Sequence, residues 1–158
     1  MKRLIVLLAL ACTLLLVPAG TAQAKKPLRI ECEGYGTDFG WKGTITSGDL
    51  TGYTGIWVSL ILDFKEDNVY FYEEWFIGWD IAYVPPSDGG TWSIDGAVVL
   101  AGFDEGVTRF DNGKFTGNGR VTEAYGKWSH LIGCKEHLSG TVYDWGPPPL
   151  FTGTVQIN

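Results

Sequence analysis

Two adjacent carboxylates lie in the middle of the most aromatic run of the chain. Residues 71–80 read FYEEWFIGWD, which places Glu73 and Glu74 side by side among aromatic residues. Paired carboxylates serve as acid and base in glycosidases, where both groups must flank one bond. In a β-strand, however, neighbouring side chains point to opposite faces. Glu73 shares the more hydrophobic row with Trp75, so we predict that Glu73 points inward and that Glu74 does not join it.

A third carboxylate, Glu136, lies on another apolar row. Residues 130–144 alternate, and the row containing Ile132, Cys134, Glu136 and Leu138 is the more apolar one. A buried carboxylate must be paired, hydrogen-bonded or protonated. One hypothesis is therefore that Glu73 and Glu136 reach one cavity and share a proton or act as acid and base. The alternative is that Glu136 lies hydrated near a barrel mouth.

For the aromatic run itself, the corresponding alternative is that the strand over residues 69–79 extends beyond the barrel. Both Glu73 and Glu74 would then contact water, and neither would belong to a site.

Large aromatic side chains share these inward rows with glycine. Trp41 alternates with Gly43, and Phe115 alternates with Gly117. Glycine on an inward row leaves room for a neighbouring ring or for a cavity. The residues predicted to contact a ligand are Glu73, Trp75, Glu136, Phe115 and Trp41, and no catalytic residue is assigned.

Cys12 lies in the leader predicted below, and the two remaining cysteines, Cys32 and Cys134, both fall on predicted inward rows. In an exported chain such a pair usually forms a disulfide, which here would join the first strand to the next-to-last. The alternative is a metal site with His130 and His137. In a strand, however, residues 130 and 134 share one face and 137 points to the other, a spacing that suits no common site. We therefore predict a disulfide, with no metal and no cofactor.

Period-two apolar spacing and 22 glycines predict strands and turns rather than helices. The pattern favours a single all-β domain, an eight-stranded closed antiparallel barrel, with a two-sheet sandwich as the alternative. An outer-membrane barrel is a third option, but polar rows such as Lys114, Thr116 and Asn118 indicate water-facing exteriors. The predicted strands cover residues 29–36, 40–47, 54–64, 69–79, 91–101, 106–111, 114–124, 130–144 and 151–157.

The first 24 residues have the pattern of a secretory signal peptide. Lys2 and Arg3 precede an apolar segment from Leu4 to Val17, and Ala22-Gln23-Ala24 supplies the small residues of a cleavage site. The segment is shorter than the ~20 residues that a membrane span requires. The prediction is cleavage near Ala24, export to the periplasm or beyond, and one barrel domain over residues 25–158 without a membrane span.

Charge and motifs exclude several functional classes. The formal net charge is −6, and loss of Lys2 and Arg3 with the leader would make it −8. Such acidity argues against nucleic acids and anionic membranes as partners. The chain also has no G-x-S-x-G or H-E-x-x-H motif and no phosphate-binding loop.

The run NGKFTGNGRVTEAYGKWSHLIGCKEHLSGTV, residues 112–142, resembles the glycine-rich strands of the allene oxide cyclase and dirigent barrel group. The resemblance implies an eight-stranded barrel with an apolar cavity, often in homo-oligomers, that binds small molecules or shapes reactive intermediates. Its catalytic residues have no matching positions here. The function expected is binding of a small apolar or aromatic ligand in the barrel interior. The alternatives are a cyclase or isomerase that uses an inward carboxylate, and a surface interaction module that uses exposed aromatics such as Trp57 or Trp79.

Overall fold

Eight antiparallel strands close into one barrel. The computed structural model describes residues 27–87 and 90–158, so the predicted signal peptide lies outside the described residues. The strands follow one another around the barrel in chain order, and β8 pairs back onto β1 from Leu28↔Ile157 to Tyr35↔Leu150. The strands are β1 Leu28–Thr37, β2 Gly40–Ser47, β3 Thr54–Lys65, β4 Asn68–Val84, β5 Ser93–Arg109, β6 Lys114–Ala124, β7 Lys135–Asp144 and β8 Leu150–Ile157.

This closure confirms the predicted barrel over the two-sheet sandwich. Alternation produces it directly: in β1 the row Leu28, Ile30 and Cys32 is buried, while the intervening charged residues are exposed. The predicted Asn112-Gly113 hairpin joins β5 to β6. Gly113 has φ of 69° there, a conformation that glycine adopts without steric cost.

Two element boundaries differ from the sequence prediction. Residues 93–109 form one continuous strand, whereas the sequence pattern predicted two strands, over residues 91–101 and 106–111. Residues Gly126–Leu131 form a short 3₁₀ helix, so β7 begins at Lys135 rather than at 130. The helix changes the alternation before β7. Leu131 is therefore buried, while Ile132, predicted to face inward, is 55% exposed.

Apolar side chains plug one end of the barrel. Leu50, in the connection between β2 and β3, is completely buried. Trp128 and Leu131 of the 3₁₀ helix are buried in the same core, together with Leu28 and Ile157 from the strand ends at that side. The opposite end carries the four hairpin connections β1–β2, β3–β4, β5–β6 and β7–β8 and has no comparable plug in the described residues.

The ends of β4 and β5 form an arm outside the barrel. The pairing is irregular between Trp79 and Ala82, where Asp80 has φ of 53° and the facing Gly96 has φ of 103°. Beyond this bend, Tyr83 stacks on Phe39 of the β1–β2 turn, with ring centroids 4.0 Å apart. The arm therefore packs against barrel residues and adds a second apolar layer.

The predicted disulfide is wrong, because Cys32 and Cys134 are both free. Cys32 pairs with Gly153 on β8, and Gly153 pairs with Gly140 on β7. Gly140 is therefore the residue of the β7 strand that lies level with Cys32, with β8 between them. Cys134 precedes Gly140 by six residues. Those offsets correspond to about 10 Å across the sheet and ~20 Å along it, well beyond the Cα separation that a disulfide spans.

Candidate functional site

A row of residues at one level crosses five strands of the barrel and carries three acidic side chains. Ser59 on β3 pairs with Glu73 on β4, which pairs with Asp104 on β5. Asp104 pairs with Gly119 on β6, and Gly119 pairs with Glu136 on β7. Since paired residues in a sheet share a face, the three carboxyl groups project into one interior.

Asp104 was missed by the sequence reasoning because it lay in the predicted gap between two strands. A continuous strand would have revealed it. Gly102, Asp104, Gly106 and Thr108 alternate with Phe103, Glu105 and Val107, which repeats the glycine-rich inward row seen in β6. Gly117 on β6 makes space for the carboxyl group, since a Cβ there would lie 2.5 Å from Asp104 Oδ1.

All three carboxyl groups are buried. Glu73 and Glu136 are each 3% exposed, and Asp104 is not exposed at all. The Ser59 hydroxyl donates a hydrogen bond to Glu73 Oε1. The oxygens of Asp104 and Glu136 have no hydrogen-bond partner among the described residues.

In the described part of the chain, no cationic side chain pairs with this cluster. The ion pairs found in the described residues, Arg29–Glu31 and Lys65–Asp63, both lie on the surface. A buried and unpaired carboxyl group is far more stable protonated than ionised, because desolvation penalises the charge.

Burial therefore raises the pKa of each group. Desolvation raises the pKa of Glu73 to about 7, although the hydrogen bond from Ser59 acts in the opposite direction. Desolvation, reinforced by the charges of Glu73 and Glu136, raises the pKa of Asp104 to about 9. Desolvation and the charge of Glu73 raise the pKa of Glu136 to about 8. The three groups therefore titrate as an interacting set, and Glu73 is the group that ionises first.

These observations decide the alternatives left open for the glutamates. Glu73 and Glu136 are both inside the barrel and interact electrostatically. Only Glu73 borders an internal cavity, so the hypothesis holds for a shared interior and not for a shared cavity. The hydrated positions considered for Glu73 and Glu136 are wrong. Glu74 lies on the outer face, where it is half-buried and accepts a hydrogen bond of 3.5 Å from the Tyr72 hydroxyl.

The enclosed interior is almost filled by aromatic side chains. An internal cavity of about 20 Å³ remains, enough for about one water molecule. Phe151 packs edge-on against the rings around this cavity, at centroid distances of 5.4 Å to Trp41, 5.8 Å to Trp57 and 6.2 Å to Phe115. The cavity is lined by Trp41, Trp57, Phe71, Glu73, Thr108, Phe115, Leu138 and Phe151.

A much larger concavity, the vestibule, lies at the unplugged end. Its volume is about 740 Å³, within the range of small-molecule sites. Trp41, Phe71, Glu73 and Thr108 line both the vestibule and the internal cavity, and therefore form the floor between them. The remaining vestibule residues are Gly36, Thr37, Asp38, Phe39, Gly40, Ser59, Ile61, Phe64, Val69, Phe110, Trp145, Pro147, Pro148 and Pro149.

The structure divides the five predicted ligand residues into two groups. Trp41 and Glu73 lie on the vestibule floor, and Phe115 lines the internal cavity beneath it. Trp75 and Glu136 line neither space. Trp75 is 1% exposed, and its ring lies so close to Gly102 that a Cβ there would be 2.4 Å from Cζ2. The vestibule residues at the hairpin connections were not predicted, because they converge only when the barrel closes.

The two aromatic residues suggested for a surface module differ in exposure. Trp57 is only 3% exposed and belongs to the core, so its predicted exposure is wrong. Trp79 is 60% exposed, and its ring contacts Tyr53 at a centroid distance of 5.6 Å.

The described residues contain no group of three His, Cys, Asp or Glu side chains arranged to hold a metal ion. In the same part of the chain, no helix has the length and apolar character needed to cross a membrane. Comparison of the chain with protein-family models, characterised proteins and solved structures finds no match. The site must therefore be interpreted from its own geometry.

Proposed function

We propose that this chain is an exported barrel protein that binds a small apolar or aromatic molecule in the vestibule. The observation that supports this most directly is the floor, which combines Trp41 and Phe71 with the buried Glu73. An apolar concavity with a few polar groups is the usual form of a small-molecule site. The enclosed interior is too small for such a ligand, so the proposal places it at the mouth.

Exposed apolar side chains around the vestibule support the same proposal. Ile61 and Phe64 from the β3–β4 hairpin are 54% and 62% exposed, and Phe110 and Trp145 are 48% and 46% exposed. Large apolar groups in contact with water mark binding sites when they form a continuous surface. A ligand that covers them gains about 25 cal/mol for each Å² of apolar surface removed from water.

Native mass spectrometry of the protein purified from its own host tests the proposal. We expect a co-purifying small molecule bound to the wild-type chain. The matched variants are Thr108→Trp, which fills the vestibule floor, and Val107→Trp, which places the same ring on the outer face of β5. The ligand should be lost from Thr108→Trp and kept by Val107→Trp. Equal retention by both variants would exclude the vestibule as the site.

A second candidate function is an isomerase or cyclase that uses Glu73 for proton transfer. It is favoured by the pKa of Glu73, raised to about 7 by burial, at the floor of an accessible cavity. A group whose pKa lies near the working pH can both accept a proton from a substrate and return it. The co-purified molecule provides the test: incubation in D₂O should place deuterium at an acidic carbon with the wild type and not with Glu73→Gln.

A further inference from the structure

The vestibule is acidic as well as aromatic. Among the described residues, its only ionisable side chains from Asp, Glu, Lys, Arg or His are Asp38 at the β1–β2 turn and Glu73 on the floor. Both carry negative charge when ionised, and no basic side chain of the described chain lines the vestibule or the cavity below it. The chain as a whole has a formal net charge of −6.

Glu73 is only partly satisfied by the protein. Ser59 donates to Oε1, and no other hydrogen bond to Glu73 is present in the described part of the chain. The side chain is 3% exposed yet borders the vestibule, so its free hydrogen-bonding capacity can be used by a bound molecule. Behind Glu73, burial raises the pKa of Asp104 to about 9 and that of Glu136 to about 8, so Glu73 is the first of the three carboxyl groups to ionise.

The walls provide the second feature that a cation needs. Six aromatic side chains surround the vestibule: Phe39, Trp41, Phe64, Phe71, Phe110 and Trp145. The faces of aromatic rings attract ammonium groups, and the attraction strengthens where water is excluded. A neutral aromatic ligand would use the rings but leave the carboxylate without a partner.

We propose that the vestibule ligand is an organic amine whose aromatic or aliphatic body contacts these rings and whose ammonium group pairs with the Glu73 carboxylate. The inference rests on the proposed function and specifies its ligand class. It combines a buried carboxyl group lacking a cationic partner with an aromatic enclosure of suitable volume.

Ion pairing with Glu73 also makes binding dependent on pH. The ammonium group favours the ionised form of Glu73, so binding below pH 7 must displace a proton from this side chain. The charged or titratable groups that act on Glu73 are Asp104 on β5 and Glu136 on β7, and Ser59 on β3 is its hydrogen-bond partner. Affinity for an amine should therefore rise about tenfold from pH 6 to pH 8, because the ionised fraction of Glu73 rises by that factor.

Calorimetry with two probes tests the inference: 2-naphthylmethylammonium, which stays charged over this pH range, and the uncharged 2-naphthylmethanol. The wild type should bind the amine more tightly than the alcohol at pH 8 and should release protons on binding it at pH 6. Glu73→Gln should weaken amine binding at least tenfold and change alcohol binding less than twofold. The matched control, Glu74→Gln on the outer face, should bind both probes as the wild type does.

The contrary outcomes are distinct. If the wild type binds the alcohol as tightly as the amine, with no pH dependence, the cation inference fails and the proposed binding site stands. If neither probe binds, the result counts against the vestibule as a small-molecule site and against the inference together. Proton release is measured on the unmodified protein, so it decides the question even if Glu73→Gln does not fold.

Discussion

At the scale of single residues, the most unusual feature is a carboxyl cluster kept in the interior without cations. Asp104 has the greatest burial of the three groups and the largest rise in pKa. The fold tolerates it because the proton remains bound and because Gly117 leaves space for the side chain. Of the three groups, Glu73 alone borders the vestibule, which is the proposed binding site.

Asp104→Asn should reduce the dependence of stability on pH. The pKa of Asp104 is raised from 3.8 to about 9 on folding, so the folded chain binds more protons than the unfolded chain between these values. Its contribution is complete below pH 4 and is lost as the pH rises toward 9. Asparagine cannot ionise, so the free energy of unfolding of the variant should fall less steeply than that of the wild type from pH 5 to pH 9. The two slopes should differ by up to about 1.4 kcal/mol per pH unit.

Urea denaturation at pH 5, 7 and 9 measures this difference. Glu105→Gln is the matched control, because Glu105 is the next residue, is exposed and points to the opposite face. If the free energy of unfolding of Asp104→Asn falls with pH as steeply as that of the wild type, Asp104 is already ionised in the folded chain.

At the scale of elements, two inserted features shape the barrel. The 3₁₀ helix between β6 and β7 contributes Trp128 and Leu131 to the plug, which leaves only the opposite end open. The β4–β5 arm bends outward and reaches the β1–β2 turn through the Phe39–Tyr83 stack. Phe39 also lines the vestibule, so the arm supports part of its rim.

Gly96→Ala should loosen the arm and leave the barrel folded. Gly96 has φ of 103°, and a Cβ there would lie 2.3 Å from the Asp80 carbonyl oxygen. A side chain at such a position strains the backbone by about 1–3 kcal/mol. Chymotrypsin should therefore cleave after Tyr83 or Trp92 faster than in the wild type, while the far-UV circular dichroism spectrum is retained.

Gly146→Ala is the control for this substitution. Gly146 has no positive φ, and a Cβ there would lie 3.2 Å from Asp144 Oδ1, which belongs to an exposed side chain that can move. Unchanged cleavage at Tyr83 and Trp92 in Gly96→Ala would show that the bend does not hold the arm in place.

At the scale of the whole molecule, closure of the sheet holds the chain together without a covalent link. The strand pairing is continuous from β1 to β8 and back to β1, so no disulfide is needed to join the first and last strands. Cys32 is buried, and desolvation raises the pKa of its thiol to about 12, which suppresses the reactive thiolate.

The stability of the domain should accordingly be independent of reducing agent. We expect the same Tm for residues 25–158 with and without dithiothreitol, and two free thiols on titration in urea. In the native protein, the half-buried Cys134 should react with iodoacetamide well before Cys32. A Cys32–Cys134 peptide recovered after non-reducing digestion would contradict the structure.

Much of the architecture could be predicted from local pattern. Period-two alternation identified the inward rows of β1, β2, β6 and β8, and it placed Glu73 and Glu136 inside, because the side-chain direction in a strand depends only on position along it. The same reasoning failed where the pattern was interrupted. The gap predicted between residues 101 and 106 concealed the continuity of β5 and therefore Asp104, and the 3₁₀ helix reversed the expected burial of Leu131 and Ile132.

The sequence by itself determined that the chain is an all-β barrel with acidic side chains on apolar rows. Only the tertiary structure decided which of those side chains meet, because strand register joins positions that are far apart in the chain. Register aligns Glu73 with Asp104 and, through Gly119, with Glu136, and it separates Cys32 from Cys134. Closure of the barrel also brings the four hairpin connections together at one end, where they form the vestibule above Glu73.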